Sequence, residues 1–203
     1  MEISVYIHIP YCEAKCIYCD FLSFPVRSAV VSPERYLQAL MREIRLRGEE
    51  LQRLGISVST VYLGGGTPTV LGEDQLEKLL AACRRHLPLS SPEWTTEANP
   101  GTLTKNKIKV LADAGVNRIS LGIQDLCDQR LAQLGRRHTA AQAKEALMMC
   151  KDSFHCVSAD VMASLPGESE TELVGTLAEI CASGPQHLSV YGLKVEENTS
   201  LYE

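Results

Sequence analysis

Three cysteines within eight residues, Cys12-Glu-Ala-Lys-Cys16-Ile-Tyr-Cys19, are the part of this sequence best suited to inorganic chemistry. A loop with spacings of three and two residues can bring three thiolates to one inorganic centre. A structural zinc site normally takes four protein ligands, and a fully protein-ligated [4Fe-4S] cluster also takes four. Only three are local here, and His8 lies too close along its segment to be a natural fourth. Two readings follow. In one, three thiolates hold a cubane whose fourth iron stays open to chelate a small ligand and pass it an electron. In the other, a three-cysteine zinc site is completed from elsewhere in the chain.

Further reactive residue types are dispersed. Gly64-Gly65-Gly66-Thr67-Pro68 is neither a P-loop, since no Gly-Lys-Ser/Thr follows, nor a dinucleotide fingerprint. Glycines there would let a ligand with an amine and a carboxylate approach the backbone closely, although a plain tight turn has the same composition. Glu97 and Asp160 could bind a ribose diol or an ammonium group, and Arg136 could hold a carboxylate bidentately. Salt bridges and helix caps use the same residues. No Ser-His-Asp or Cys-His nucleophile arrangement has supporting context. Of the eight cysteines, Cys83, Cys127, Cys150, Cys156 and Cys181 are scattered and are expected to be buried thiols.

The elements that must position these groups alternate regularly. Strands are predicted over residues 3–9, 58–63, 93–97, 117–123, 155–161 and 187–191, from β-branched and apolar runs bounded by turn residues. Helices are predicted from Ser32-Pro33-Glu34 to about 54, and over 73–86, 104–114, 125–134 and 139–151. A last helix runs from the capping box Ser169-Glu170-Thr171-Glu172 to near Gly184. Strands alternating with helices imply an α/β fold with parallel neighbours, and an open doubly wound sheet and a curved, barrel-like sheet both satisfy the pattern.

In such folds ligands gather at the C-terminal ends of the strands. Every predicted strand exits into polar or glycine-rich residues: the cysteine loop, Gly64 to Thr67, Glu97 with Asn99, Gln124 with Asp125, Asp160 with Pro166-Gly167-Glu168, and Tyr191-Gly192. The coincidence predicts one site spanning the sheet.

Bulk properties narrow the setting. The chain has 203 residues, 45% hydrophobic and 22% charged, as in an ordinary globular protein. A net charge of −5 gives no electrostatic reason to expect nucleic-acid binding. The short basic run Arg84-Arg85-His86 is read as a solvated helix end. No apolar run is long enough to span a bilayer and no secretory signal is apparent, so a cytoplasmic location is expected. The chain stops soon after the sixth strand without a closing helix. One domain over 1–203, lacking a C-terminal part, is therefore expected.

The motifs together resemble a known family. Cys12-x3-Cys16-x2-Cys19 with Tyr18 before the third cysteine is similar to the radical S-adenosylmethionine (SAM) signature. Tyr6-Ile-His8-Ile-Pro10, Gly64-Gly-Gly-Thr-Pro-Thr69, Glu97-Ala-Asn-Pro-Gly101, Ile119-Ser-Leu-Gly-Ile-Gln124, Leu165-Pro-Gly167 and His187-Leu-Ser-Val-Tyr191 narrow the resemblance to the oxygen-independent coproporphyrinogen III oxidase-like family. It implies a partial (β/α)6 TIM-like barrel. It implies a [4Fe-4S] cluster on Cys12, Cys16 and Cys19, with SAM chelating the open iron. It implies a SAM pocket lined by Tyr6, Tyr18, Gly65, Gly66, Thr67 and Glu97, with further contacts at Gln124, Arg136, Asp160 and, more distantly matched, Lys194. One-electron reduction would then cleave SAM to methionine and a 5′-deoxyadenosyl radical, chemistry that belongs to the cofactor while the protein orients it.

Two subfamilies diverge within this resemblance. The oxidases carry a further cysteine two residues after the third, where this chain has Phe21, and a substantial segment ahead of the cluster, where this chain has eleven residues. Both departures point to the heme chaperone subfamily, which implies heme as cargo, a reducing electron donor, and a respiratory heme protein as recipient, with membrane association during delivery. The oxidase, acting on porphyrinogen propionates, and a radical SAM methylating enzyme are the alternatives.

Overall fold

The computed structural model describes residues 1–203 apart from the side chain at position 91. Eight strands alternate with helices. In chain order they are β1 (Glu2–Ile9), β2 (Tyr11–Cys12), β3 (Phe24–Pro25), α1 (Pro33–Arg53), β4 (Ser57–Gly65), α2 (Glu73–His86), β5 (Leu89–Ala98), α3 (Lys105–Asp113), β6 (Arg118–Gln124), α4 (Asp128–Gln133), α5 (Ala140–Lys151), β7 (Cys156–Ala163), α6 (Glu170–Ala182) and β8 (His187–Gly192).

The main sheet runs β1-β4-β5-β6-β7-β8 and every neighbour pair is parallel. A doubly wound sheet would reverse its strand order partway. This one adds each new strand beside the last, which is the winding of a barrel. β1 and β8 are not paired to each other, so the barrel is partial.

Along the strands side chains alternate between two faces, as the two-residue period requires, apart from register shifts between β1 and β4, β4 and β5, and β6 and β7. Val61 and Leu63 on β4, Trp94 on β5, Ile119, Leu121 and Ile123 on β6, and Val157, Ala159 and Val161 on β7 face the helices and are buried. Leu76, Leu79, Leu80 and Cys83 of α2 and Ala143, Ala146, Leu147 and Cys150 of α5 belong to the same core. Each of the larger aliphatic side chains contributes about 1.5–3 kcal/mol by leaving water. In-register neighbours on the opposite face are polar: Tyr6 beside Tyr62, Glu97 beside Ser120, Ser120 beside Ser158, and Asp160 beside Ser189. The concave side of the sheet is thus a polar wall on an apolar scaffold.

Local caps follow the sequence rules. Ser32, Thr104, Thr139 and Ser169 each accept a hydrogen bond from a first-turn backbone N–H of α1, α3, α5 and α6.

Several expectations are corrected. The helix expected over 125–134 starts at Asp128. Asp125 instead closes a turn, with Oδ1 accepting from the Leu126 and Cys127 amides, and its carboxylate is buried in an ion pair with Arg130. Of the five scattered cysteines, Cys83 and Cys150 are buried, and burial pushes each thiol up to about 12. Cys127 and Cys156 are half-buried, and Cys181 is exposed because the neighbouring Ile180 takes the inward position on α6. The pairing of Tyr11–Cys12 with Phe24–Pro25, which closes the cysteine loop at its base, was not foreseen.

Candidate functional site

The strand ends open into one cavity of about 460 Å³, within the range of small-molecule sites. Cys12, Cys16, Cys19, Tyr18, Gly65, Gly66, Thr67, Glu97, Gln124, Arg136, Asp160 and Lys194 all line it. Of the residues that the resemblance assigns to the cluster and the SAM pocket, only Tyr6 stands outside this lining. Its hydroxyl lies 3.0 Å from His8 Nδ1, and its ring stacks on Tyr62 at 6.0 Å. The Leu22 carbonyl can only accept, so His8 Nε2 carries the proton for their 3.0 Å bond. Nδ1 shares the bond with the Tyr6 hydroxyl, and the imidazole ties β1 to the end of the cysteine loop.

The cysteine loop bridges β1 and the segment before α1. The Cys19 amide donates to the Cys16 carbonyl at 3.2 Å, and the Ile17 amide to the Leu134 carbonyl at 3.2 Å. Two thiols also receive donors: Thr67 Oγ1 lies 3.6 Å from Cys12 Sγ and Arg136 Nη1 lies 3.7 Å from Cys16 Sγ. The thiolate is the form that ligates metal. Burial pushes Cys19 up, with the Phe21 backbone bond opposing and the Cys16 and Cys12 charges adding to the rise. A positive centre among the three would relieve that charge repulsion. A four-iron cluster would give each of the three thiolates its own corner and leave one iron open.

The glycine turn after β4 is built around its neighbours. Gly65 has φ of 111°, and a Cβ there would sit 2.5 Å from the His8 ring. A Cβ on Gly64 would lie 2.8 Å from a Glu97 oxygen, and one on Gly66 would lie 2.5 Å from the Tyr11 carbonyl oxygen. The amides are spent within the protein: Gly65 on Glu97 at 3.0 Å, Gly66 on Ile9 at 2.8 Å and Thr67 on Tyr11 at 2.7 Å. With its donors occupied, this loop is not a phosphate cradle.

Both carboxylates are held in place. Glu97 accepts from Tyr62 at 2.8 Å as well as from Gly65. Asp160 accepts from Ser120 at 2.7 Å and from Ser158 at 3.3 Å. Burial raises both above the usual carboxylate range, against the opposing pull of these donors. A cationic or polyhydroxyl ligand would complete their environment. Arg136 is the complementary group. One Nη donates to the Gly122 carbonyl and the other points at Cys16, while its buried Nε has no partner. A guanidinium with a spare donor beside the thiols suits a ligand carboxylate. Gln124 sits above at φ of 69°, where a register shift between β6 and β7 turns it into the cavity mouth. Lys194 lies at the rim, paired to Glu196 at 2.6 Å.

Two predicted exits reach the cavity only in part, through Gln124 and Asp160. Asp125 is committed to Arg130. Pro166-Gly167-Glu168 lies outside the lining, with Glu168 accepting from its own turn at the Leu165 amide. Conversely, Tyr62, Ser120 and Ser158 were not anticipated. Their signal was present: strand alternation puts Tyr62 on the same face as Gly64, and Ser120 and Ser158 on the faces of Gly122 and Asp160.

The arrangement of three thiols, two desolvated carboxylates and a part-paired arginine fits an open-iron cluster with an amino-acid-bearing ligand. The comparisons agree. The radical SAM superfamily matches residues 6–180. The heme chaperone HemW of Escherichia coli is 38% identical over 199 residues, covering 97% of this chain and 52% of that protein. HemW of Mycobacterium tuberculosis is 39% identical over 204 residues, covering 98% and 51%. The chain spans about half the length of the curated relatives it matches. Among solved structures, E. coli coproporphyrinogen III oxidase (HemN), described as a radical SAM enzyme, superposes with a TM-score of 0.85 at 27% identity, over 94% of this chain and 44% of that one. The radical SAM methyltransferase TsrM of Kitasatospora setae, at 16% identity and a TM-score of 0.69, shares the fold. With a three-cysteine loop, a cavity at the strand ends and a family match over most of its length, this chain belongs to the radical SAM superfamily, whose members hold a [4Fe-4S] cluster and SAM.

Proposed function

We propose that residues 1–203 form the radical SAM core of a heme chaperone, a protein that binds heme and passes it to a respiratory heme protein. The observation that carries this reading is the cavity mouth itself. It keeps the cluster loop and the SAM-type wall, yet places Phe21, 62% exposed, where the resembling oxidases carry a further cysteine. Similarity to HemW proteins over nearly the whole chain supports the same reading.

In this reading Cys12, Cys16 and Cys19 hold the cluster. Arg136 receives the SAM carboxylate, Glu97 the ammonium, and Asp160 with its two serines the ribose. Tyr18, Gln124 and the Gly65–Thr67 turn enclose the remainder, and Lys194 guards the rim. Tyr6 acts through His8 and Tyr62, outside the cavity lining. When bound, cluster and SAM supply one-electron cleavage of a carbon–sulfur bond, fed by an external reductant. Among the described residues no helix is long and apolar enough to cross a membrane; membrane association during delivery belongs to the same reading.

The test begins with anaerobic reconstitution with iron and sulfide, reduction, and low-temperature EPR with and without SAM. A [4Fe-4S]+ signal that shifts on adding SAM is expected. The full-length protein should then take up heme stoichiometrically and fail to convert coproporphyrinogen III. Conversion of that substrate without stable heme uptake would replace the chaperone by the oxidase.

A further inference from the structure

On the outer wall of the barrel, remote from the cluster loop, α1 and α2 enclose a second groove of about 540 Å³ that shares no residue with the first cavity. Its walls carry Arg42 and Arg45 from α1 and Lys78 and Arg85 from α2. Met41, Ala81 and Ala82 supply its apolar lining. None of the lining residues is acidic. Glu49 reaches Arg45 at 2.8 Å, but Arg42, Lys78 and Arg85 are exposed and make no ion pair among the described residues. This concentration of unpaired positive charge sits on a chain whose net charge is −5.

The walls are fixed. Gly48 of α1 meets the C-terminal end of α2 so closely that a Cβ would lie 2.2 Å from the His86 carbonyl oxygen. Gln52 Nε2 donates to that same carbonyl at 3.1 Å. The two helices are thus pinned at one end, and the backbone positions that carry the cationic side chains are set before any ligand arrives. A preformed site loses less conformational freedom on binding.

We propose that this groove docks an acidic polypeptide segment of a partner protein. Arginines on opposite walls match carboxylates bidentately, as clustered arginines do in acidic-motif recognition. The small apolar lining takes an apolar side chain between them. A lipid surface is flat and would favour a convex, apolar-tipped face, whereas these cations line a concavity together with alanines. The groove is separate from the SAM wall, so docking and cofactor binding are independent of each other, and the proposal does not rest on heme being the cargo.

The experiment uses the full-length protein with its cluster reconstituted. Fluorescence anisotropy would follow a labelled peptide of glutamates interspersed with leucines, against the same peptide with glutamines. The double variant Arg42→Glu, Arg85→Glu would be compared with wild type. Expected are salt-sensitive binding of the glutamate peptide, little binding of the glutamine peptide, and a weakening of about tenfold or more in the double variant. The SAM-induced EPR change should be identical in both proteins, which shows the variant folded. Equal binding of both peptides, or equal binding by both proteins, would overturn the proposal. So would no peptide binding at all, or binding of phosphatidylglycerol vesicles in place of the peptide.

Discussion

The Tyr62 hydroxyl donates a 2.8 Å hydrogen bond to one oxygen of Glu97, while the Gly65 amide holds the other at 3.0 Å. The carboxylate is therefore oriented before a ligand enters, and β4 supplies both of its anchors. Tyr62→Phe frees one oxygen and pushes Glu97 further above its ordinary range, because burial already raises it and the tyrosine opposes that rise. SAM affinity should fall about tenfold at neutral pH, and the pH below which binding is lost should move upward. Calorimetric titration of reconstituted protein across pH would show both. Unchanged affinity would mean that Glu97 does not touch SAM.

His138 is buried against β6, with Nε2 donating to the Ile123 carbonyl at 3.0 Å and Nδ1 unpartnered. Burial, reinforced by the Arg136 charge, lowers its pKa to about 4. An unfolded histidine takes its proton near pH 6.5. Between those values the unfolded state binds a proton that the native state refuses, so stability falls on acidification by up to about 1.4 kcal/mol per pH unit. Glu97 and Asp160 have the opposite sign: their raised folded values favour the native state at low pH, an advantage lost as pH rises through them. Comparing His138→Gln with wild type isolates the histidine. Urea midpoints at neutral pH and about pH 5 should diverge in wild type by more than in the variant.

Arg130 holds the buried Asp125 carboxylate and also bonds Glu172 at 3.0 Å. Arg130→Met leaves Asp125 charged and unpaired in the core, which should cost about 3–5 kcal/mol. Asp125→Asn with Arg130→Met removes the stranded charge and should recover much of that loss. Denaturant unfolding of these two variants and of Asp125→Asn alone would measure it, and an additive result would show that the pair is not coupled.

Lys107 Nζ donates to the carbonyls of Thr69 at 2.6 Å and Thr102 at 3.0 Å, and the two threonine hydroxyls lie 2.7 Å apart. These bonds stitch the turn after β4 to the turn after β5. Lys107→Met should cost about 1–3 kcal/mol of stability through two stranded carbonyls, and should weaken SAM binding. Lys107→Arg should restore both. A loss of stability with the SAM-induced EPR shift and SAM affinity intact would confine the lysine to scaffolding.

The parts of the site that could be read from the sequence share a property: their neighbours along the chain define them. Cys12, Cys16 and Cys19 carry their spacing with them, and Glu97 and Asp160 announce themselves at strand ends. Tyr62, Ser120 and Ser158 were missed because their role depends on which neighbouring strand they face. The alternation in residues 3–9, Ile-Ser-Val-Tyr-Ile-His-Ile, already encoded the polar concave face that decides it. Asp125 misled for the converse reason. It sits at a strand end like Gln124, but only the fold shows that Arg130, five residues on, claims it. Cys181 differed from Cys150 through helix phase alone, a matter of one residue.

The turn after β4 has a consequence for how this protein can change over evolutionary time. Gly64, Gly65 and Gly66 are each blocked by a different obstacle: the Glu97 carboxylate, the His8 ring and the Tyr11 main chain. A side chain at one of them needs its own compensating change. For Gly66 no substitution elsewhere can provide it, since a backbone carbonyl cannot be mutated away. Sequence drift through these positions therefore has no gradual route, and the tripeptide should persist in descendants whatever they come to bind.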